Sequence, residues 1–439
     1  MLGLDRGEAI MERVDVAIVG AGLAGLSCAY TLAQAGIDVL VVERGDYPGS
    51  KNVTGGRLYM SPTREYMAEI WDDAPFERHV TKERLTMLSN GSSITVELRS
   101  NDFAKKPYHS YTVIRPVFDR WLAEKASAVG ATIVPTYKVE GLLFDGERVA
   151  GIKAEGEDIA TNVVVAADGA LSFIAEQARL RLRRDPHQYA VGIKETIELP
   201  RKTIEDRFNL HGDEGCAQLY FGSLTKGLTG GGFLYTNRAS ISLGVVVGIG
   251  ALMDGAEQVE SVQLMESFKQ LPEISSIIEG GETVEYSAHA IPEGGIESIP
   301  KLYSNGILVI GDAAGFALNM GVSVRGMDLA IASGVLAAEA IKLAKKNGDF
   351  SSRSLAAYET LLNRSFVMKD LRTFKNVWGV LNNPRLFIKY PEALTSLMTD
   401  LMSIRSEPKR KLSSTAIKHF RKNFLNLSAL RDALTLTRI

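Results

Sequence analysis

Residues Gly20-Ala21-Gly22-Leu23-Ala24-Gly25 spell G-x-G-x-x-G, and an acid, Glu43, follows eighteen residues after Gly25. The spacing has a chemical use. Gly20 permits a tight turn, Gly22 lets backbone approach a pyrophosphate, and Gly25 allows a helix to pack closely on a strand. A helix that opens at Leu23 would offer free N–H groups and a positive dipole end to phosphates. Glu43 could accept both hydroxyls of an adenosine ribose and would disfavour a 2′-phosphate. Glycine clusters are common in turns, so the plain alternative is a βαβ turn with no ligand. The strand before the glycines and the second strand ending at Glu43 argue for the dinucleotide.

A second constellation selects among dinucleotides. In GILVIGDAAGF (306–316) Asp312 follows Gly311 at the end of an apolar run, and Asp168-Gly169 ends another, NVVVAADGA. An aspartate there can hydrogen-bond the ribityl chain of a flavin, a group that NAD lacks. Taken alone, Asp312 could equally be a helix N-cap. Together with the fingerprint it points to FAD. A helix is expected from about 322 to 345, its N-terminus near Gly321, Val322 and Ser323. Its dipole would favour reduced, anionic flavin by roughly 1 kcal/mol.

These residues need elements to hold them. The runs 14–19 and 37–43 read as buried parallel strands around a helix over 23–35 that Gly36 ends. Residues 113–130 suit a helix, and 141–156 a hairpin turning at Asp145-Gly146. From about 185 to 300 the alternation becomes that of a mostly antiparallel sheet. Past 355 the pattern is helical, with Pro384, Pro391 and Pro408 as breaks. The fold class is therefore α/β (α+β). A discontinuous nucleotide-binding unit (12–185 plus 300–350) carries an inserted β-rich substrate domain (186–299), and a helical region (351–439) follows.

Composition narrows the class further. The 439 residues are 45% hydrophobic and 23% charged, with net charge −2, and give no global reason to expect nucleic acid. Two cysteines, Cys28 and Cys216, cannot hold a four-cysteine iron–sulfur cluster or a disulfide framework. The simplest setting for such a chain is cytoplasmic. The first dozen residues look like a loose leader, and no apolar run is long enough to span a membrane. The six histidines show no ligand spacing, so no metal is expected. His289, before a Pro/Gly-rich loop, could lie near the flavin, although a structural role reads as the simpler one.

The fingerprint with Glu43-Arg44, the segment VIRPVFDRWL (113–122), the AADG strand end and GDAAG together resemble the glutathione-reductase-like flavoprotein superfamily. More narrowly, KNVTGGRLY, IEDRFNL, GGFLYTN, VEYSAH and RGMDLAIA are similar to FixC, from about residue 12 nearly to the C-terminus. FixC resembles electron-transfer flavoprotein:quinone oxidoreductase without that enzyme's cluster domain. The resemblance implies FAD and an electron-transfer-flavoprotein-like partner of the FixA/FixB type. It also implies a ferredoxin-like FixX subunit carrying the cluster, quinone as acceptor, and coupling to a low-potential acceptor by electron bifurcation, a chemistry related to nitrogen fixation. It further implies that Arg44 lies beside the adenosine, Arg115 near the phosphate and ribityl region, and Val139 against adenine.

In this superfamily the segment after the ribose acid runs along FAD toward the isoalloxazine. GSKNVTGGRLYM (49–60) is then the flavin-tuning stretch. Gly55 and Gly56 would allow backbone contact, Lys51 or Arg57 would favour an anionic flavin or orient a quinone oxygen, and Asn52 lies between them. Aromatic residues of the β-rich insertion, Tyr220, Phe221, Phe233 and Tyr235, read first as core and second as quinone-pocket walls. From Ile404 onward nine Lys and Arg face two acids. That is a solvated helical face or a docking surface for an acidic redox partner or for anionic lipid at the inner face of a membrane. The contrasting reading of the whole chain is a stand-alone reductase or monooxygenase of the geranylgeranyl-reductase or aromatic-hydroxylase type.

Overall fold

The computed structural model describes residues 12–51, 56–182, 184–255 and 259–437. The proposed leader, and Asn52 and Gly55 of the tuning stretch, lie outside them.

Strand β1 (Glu12–Val19) leads into α1 (Leu23–Gln34) and β2 (Val39–Val42). Helix α1 stops because Gly36 takes φ +71°. Its N–H reaches the Ala33 carbonyl while that of Ile37 reaches Leu32, the paired bonds of a Schellman ending. Five more elements complete this half in chain order. They are α2 (Arg115–Ala128), the short strand Thr132–Val134, the hairpin Val139–Asp145/Arg148–Ala154, and Glu157–Ala166. Far along the chain, Ile307–Val309 returns beside Glu157–Ala166 in parallel. Parallel pairing therefore runs Ile307–Val309, Glu157–Ala166, β1, β2, Thr132–Val134. The inner strands are buried on both faces, as their continuous Val/Ile/Leu runs require, while the edge strand Thr132–Val134 is only partly covered.

The second sheet has nine strands, and four of them come from residues 57–99 and 110–112. These are Arg57–Tyr59, His79–Ser89, Ser92–Arg99 and Ser110–Thr112. Sequence pattern assigned this stretch to the nucleotide-binding unit, yet its backbone bonds lie in the sheet of the insertion. His79–Ser89 pairs in parallel with Glu214–Gly222, and the other pairings are antiparallel. Alternation divides this sheet's side chains between two faces. Ile193, Tyr220, Leu234 and Leu243 pack with Phe268 and Met265 of the helix Ser261–Lys269. Gly192, Lys194, Phe233 and Tyr235 turn the other way.

Two expected features differ. The long helix after the Gly-Asp turn, α3 (Met327–Asn347), begins five residues later than the pattern suggests. Gly321, Val322 and Ser323 instead form the turn of a small ribbon pairing Leu318 with Arg325 and Asn319 with Val324. Gly321 takes φ +78°, and the Asn319 side chain accepts its N–H at 2.9 Å, which fixes a turn where small residues suggested a helix start. Pro391 does not break a helix. It sits in the first turn of α4 (Lys389–Met402), where a missing N–H costs nothing. Helices α5 (Leu412–Asn423) and α6 (Leu427–Leu436) close the chain, and among the described residues no helix is long and apolar enough to cross a membrane.

Candidate functional site

The three fingerprint glycines are required for different reasons. Gly20 takes φ +107°, and a Cβ there would lie 2.4 Å from the Ala167 carbonyl oxygen. A Cβ on Gly25 would lie 2.1 Å from the Gly20 oxygen. Both are demanded by the protein's own packing. Gly22 has ordinary backbone angles, and a Cβ on it would meet no atom within 4 Å. Nothing in the fold asks for glycine at 22, so the open space beside it fits a ligand. Gly22 is also the N-cap of α1 and supplies no side-chain cap, leaving first-turn N–H groups to an outside acceptor. Ala21, Leu23 and Ala24 are buried around it.

Glu43 is held against this turn. One carboxylate oxygen accepts the Ala21 N–H at 2.9 Å, the other the Gly45 N–H at 2.6 Å. Two charge-assisted bonds fix the carboxylate at the mouth of the fingerprint and leave lone pairs for hydroxyl donors. Arg44 beside it is exposed, and Val139 is the partly buried first residue of its strand.

Arg115 and Asp119, an i,i+4 pair on α2, are buried rather than superficial. Nε and Nη2 fork onto the two carboxylate oxygens at 2.8 and 2.9 Å. The guanidinium acts on a group from another part of the chain, Asp312 in the turn Gly311–Ala314. Burial pushes the Asp312 carboxyl above its ordinary value, and His289 and Arg115 pull it back. His289 stands on strand Glu282–Pro292, opposite Gly192. Burial lowers its imidazole, and Asp312 opposes that shift. Lys194, two residues along from Gly192, feels Arg115 as well, and burial lowers its ammonium despite Glu285 at 3.3 Å. So the first sheet's Gly-Asp turn, the start of α2 and the second sheet's inner face meet in one polar cluster. The Pro/Gly-rich loop after His289 was the one signal that could place it near the flavin, and Lys194 carried no signal beyond a charge in a strand.

Asp168 stands differently. It accepts from Ser172 Oγ at 2.6 Å and the Ile174 N–H at 3.0 Å, and so ties down the helix Phe173–Gln177. Gly169, φ +85°, opens the loop between them.

The tuning stretch is more constrained than its composition suggests. Gly56 has φ +153°, and a Cβ there would strike the Tyr235 ring at 2.8 Å, so an aromatic residue of the second sheet fills the space expected for flavin. Arg57 is buried and paired. It forks onto both Glu83 oxygens, bonds Ser110 Oγ and stacks its guanidinium 4.4 Å from the Tyr59 ring centroid. The cation expected to face flavin is thus largely compensated. Burial raises the Tyr59 hydroxyl and Ser323 of the ribbon pulls it back, so this stretch lies beside the ribbon. Lys51 is exposed. Phe233 and Tyr235 stack 5.2 Å apart on the inner face, whereas Tyr220 packs edge-on against Phe268 in the opposite core.

At the C-terminus Lys409 is engaged. Its ammonium donates to the Leu401 and Ser403 carbonyls at the end of α4. Beyond it, Leu427, Leu430 and Leu434 form an exposed stripe on α6, and Ile417 and Phe420 are exposed on α5 beside Lys418 and Arg421.

Three family models match the chain: an FAD binding domain over residues 13–205, the ubiquinone-binding region of ETF-QO over 189–291, and the ETF-QO/FixC family C-terminal domain over 379–439. The probable electron transfer flavoprotein-quinone oxidoreductase YdiS of Escherichia coli K12 is 42% identical over 96% of this chain and 98% of its own. Protein FixC of the same strain is 43% identical over 94% and 96%. Among solved structures, a geranylgeranyl bacteriochlorophyll reductase-like protein from Thermoplasma acidophilum superposes with TM-score 0.71 at 22% identity, covering 96% of this chain and 99% of that one. That last likeness is one of fold.

Proposed function

This chain belongs to the ETF-QO/FixC family and is an FAD-dependent oxidoreductase of the electron-transfer, quinone-linked type. From that premise we propose that it accepts electrons from an electron-transfer-flavoprotein-like partner of the FixA/FixB type and passes them to quinone. A ferredoxin-like FixX subunit would supply the iron–sulfur cluster, and the assembly would bifurcate electrons. The observation that carries this reading is the meeting of two matched regions. His289, in the ubiquinone-binding match, acts on Arg115 of the FAD match and on Asp312 of the Gly-Asp turn, and Lys194, where the two matches overlap, also feels Arg115.

FAD, when bound, supplies the exchange between two-electron and one-electron chemistry. The protein's part is to bind, orient and set charge. Gly20, Gly22 and Gly25 with Ala21, Leu23 and Ala24 take the pyrophosphate, and Glu43 and Arg44 the adenosine ribose. Val139 contacts adenine, while Arg115 holds the phosphate–ribityl junction. Asp312 and Gly311 take the ribityl hydroxyls, and Asp168-Gly169 shape the loop beside them. Gly321, Val322 and Ser323 meet the pyrimidine edge from a ribbon turn instead of a helix end. Lys51, Asn52 and Gly55 tune the flavin, while Gly56 against Tyr235 and the Arg57–Glu83 pair hold the segment in place. Phe233 and Tyr235 wall the acceptor's cavity.

The exposed apolar stripe and basic flank of α5 and α6 support a contact with a redox partner or with an anionic membrane surface. Because Lys409 caps α4, the docking charge falls to Arg410, Lys411, Lys418 and Arg421. The chain purified with its neighbouring gene products should reduce quinone from NADH, whereas the chain alone should be slow with NADH. Rapid NADH oxidation by the isolated chain would overturn the subunit reading in favour of a self-contained reductase.

A further inference from the structure

Strand Glu282–Pro292 continues into a loop, Glu293–Ile299, that runs along the Gly-Asp segment. Three observations fix that course. His289 feels Asp312, Ser298 Oγ lies 3.5 Å from the Cβ position of Gly315, and Glu293 meets Asn319. Glu293 is the odd member. Its backbone N–H donates to the Gln188 carbonyl, but among the described residues its carboxylate has one weak polar contact, Asn319 Nδ2 at 3.5 Å. The side chain retains some accessible surface, yet burial dominates its electrostatics and pushes the carboxyl up to about 7. The two facts agree if it faces an internal cleft and not bulk water.

Most charged groups on the elements packed there are engaged, Arg325 of the ribbon with Asp328 and Asp370, while Glu297 of the same loop is exposed. Arg181 donates to the Ala313 carbonyl at 2.8 Å, and His187 is held between Asp185 and Asp254. Asp312, His289 and Arg115 form their own cluster. Asn319 is neutral, and it also sets the Gly321 turn through its oxygen. A carboxyl poised between its two forms therefore abuts the ribbon assigned to the flavin's pyrimidine edge.

We propose that Glu293 is a proton-carrying residue of the site: a carboxylate beside oxidised flavin, a carboxylic acid beside reduced flavin. The inference rests on the FAD–quinone reading above. Added negative charge nearby favours the neutral acid, so Glu293 takes a proton from water as the site is reduced. Quinone needs two electrons and two protons to become quinol. The reduced cofactor brings both electrons and one proton, and Glu293 releases the second and returns to carboxylate. Electrons, protons and charge balance.

The test counts protons. FAD-loaded wild type and Glu293→Gln are reduced electrochemically in weakly buffered solution with a pH indicator, from pH 6 to pH 9. Above neutral pH the wild type should take up one more proton per flavin than the variant, and the difference should vanish toward pH 6, where Glu293 is already protonated. Equal counts across the range overturn the proposal. Asn319→Leu gives an independent check. Without the Nδ2 contact that favours the carboxylate, the window of extra uptake should move to higher pH with the count unchanged, and an unmoved window also counts against Glu293. A water-soluble quinone separates the two readings. Extra uptake without quinone reduction sinks the quinone reading and leaves the proton-uptake assignment standing. Equal proton counts with normal quinone reduction do the reverse.

Discussion

The three fingerprint glycines make separable predictions, because each lacks a Cβ for its own reason. Gly22→Val places a side chain in open space, so the apoprotein should melt near wild type while flavin absorbance per protein falls at least tenfold. Gly25→Val collides with backbone 2.1 Å away, so it should lower the melting temperature itself. Thermal melts read beside flavin content distinguish the two. Arg57 and Glu83 give a second residue-scale prediction. Glu83→Gln leaves a buried guanidinium without its counter-charge and should cost about 1–3 kcal/mol in denaturant unfolding, reduced from a fully buried pair because Glu83 is 27% exposed. Arg57→Met combined with Glu83→Gln should recover part of that loss. Additive losses would mean the two groups are not coupled.

At the scale of elements, α1 and α3 are forced close by a glycine outside every recognised motif. A Cβ on Gly334 would lie 2.2 Å from the Ala24 carbonyl oxygen, and one on Gly311 would lie 2.7 Å from Ala24 Cβ. Gly334→Ala should push α3 off the fingerprint helix and lower stability and flavin retention together, as a melt and a flavin titration would register. The loop after the last long strand makes a pH prediction. Glu293 is raised in the folded protein to about 7, so the folded state binds a proton that the unfolded chain releases at lower pH. Its contribution is fully present below the ordinary carboxyl range, and it declines as pH rises to about 7 and stays lost above. Denaturant midpoints of wild type should fall across that window relative to Glu293→Gln. Parallel midpoints would contradict it.

Across the whole molecule, the two sheets are joined by charge as well as by chain. Arg115 and Asp312 of one meet His289 and Lys194 of the other, so reshaping either unit should disturb the site between them. The basic, leucine-striped end is an open surface. Reversing Arg410, Lys411 and Arg421 to Glu should weaken partner or lipid binding at low salt several-fold while flavin content stays constant. Retained affinity would assign the stripe to another role.

Sequence alone carried the FAD fold, the fingerprint, Glu43 and the Gly-Asp turn, because these rest on local rules: a φ above zero, a helix stop, a run of apolar residues; the family came from the resemblance of whole motif blocks. It could not say that residues 57–99 join the second sheet, since strand pairing is a long-range choice that no local pattern encodes. It placed a helix start at Gly321, where a side-chain bond from Asn319 makes a turn. It read Arg57 as a free cation, because the compensating Glu83 lies on another strand. The meeting of His289, Lys194 and Glu293 with the Gly-Asp turn was decided only by tertiary structure, because charge acts through space across segments that the chain's order keeps far apart.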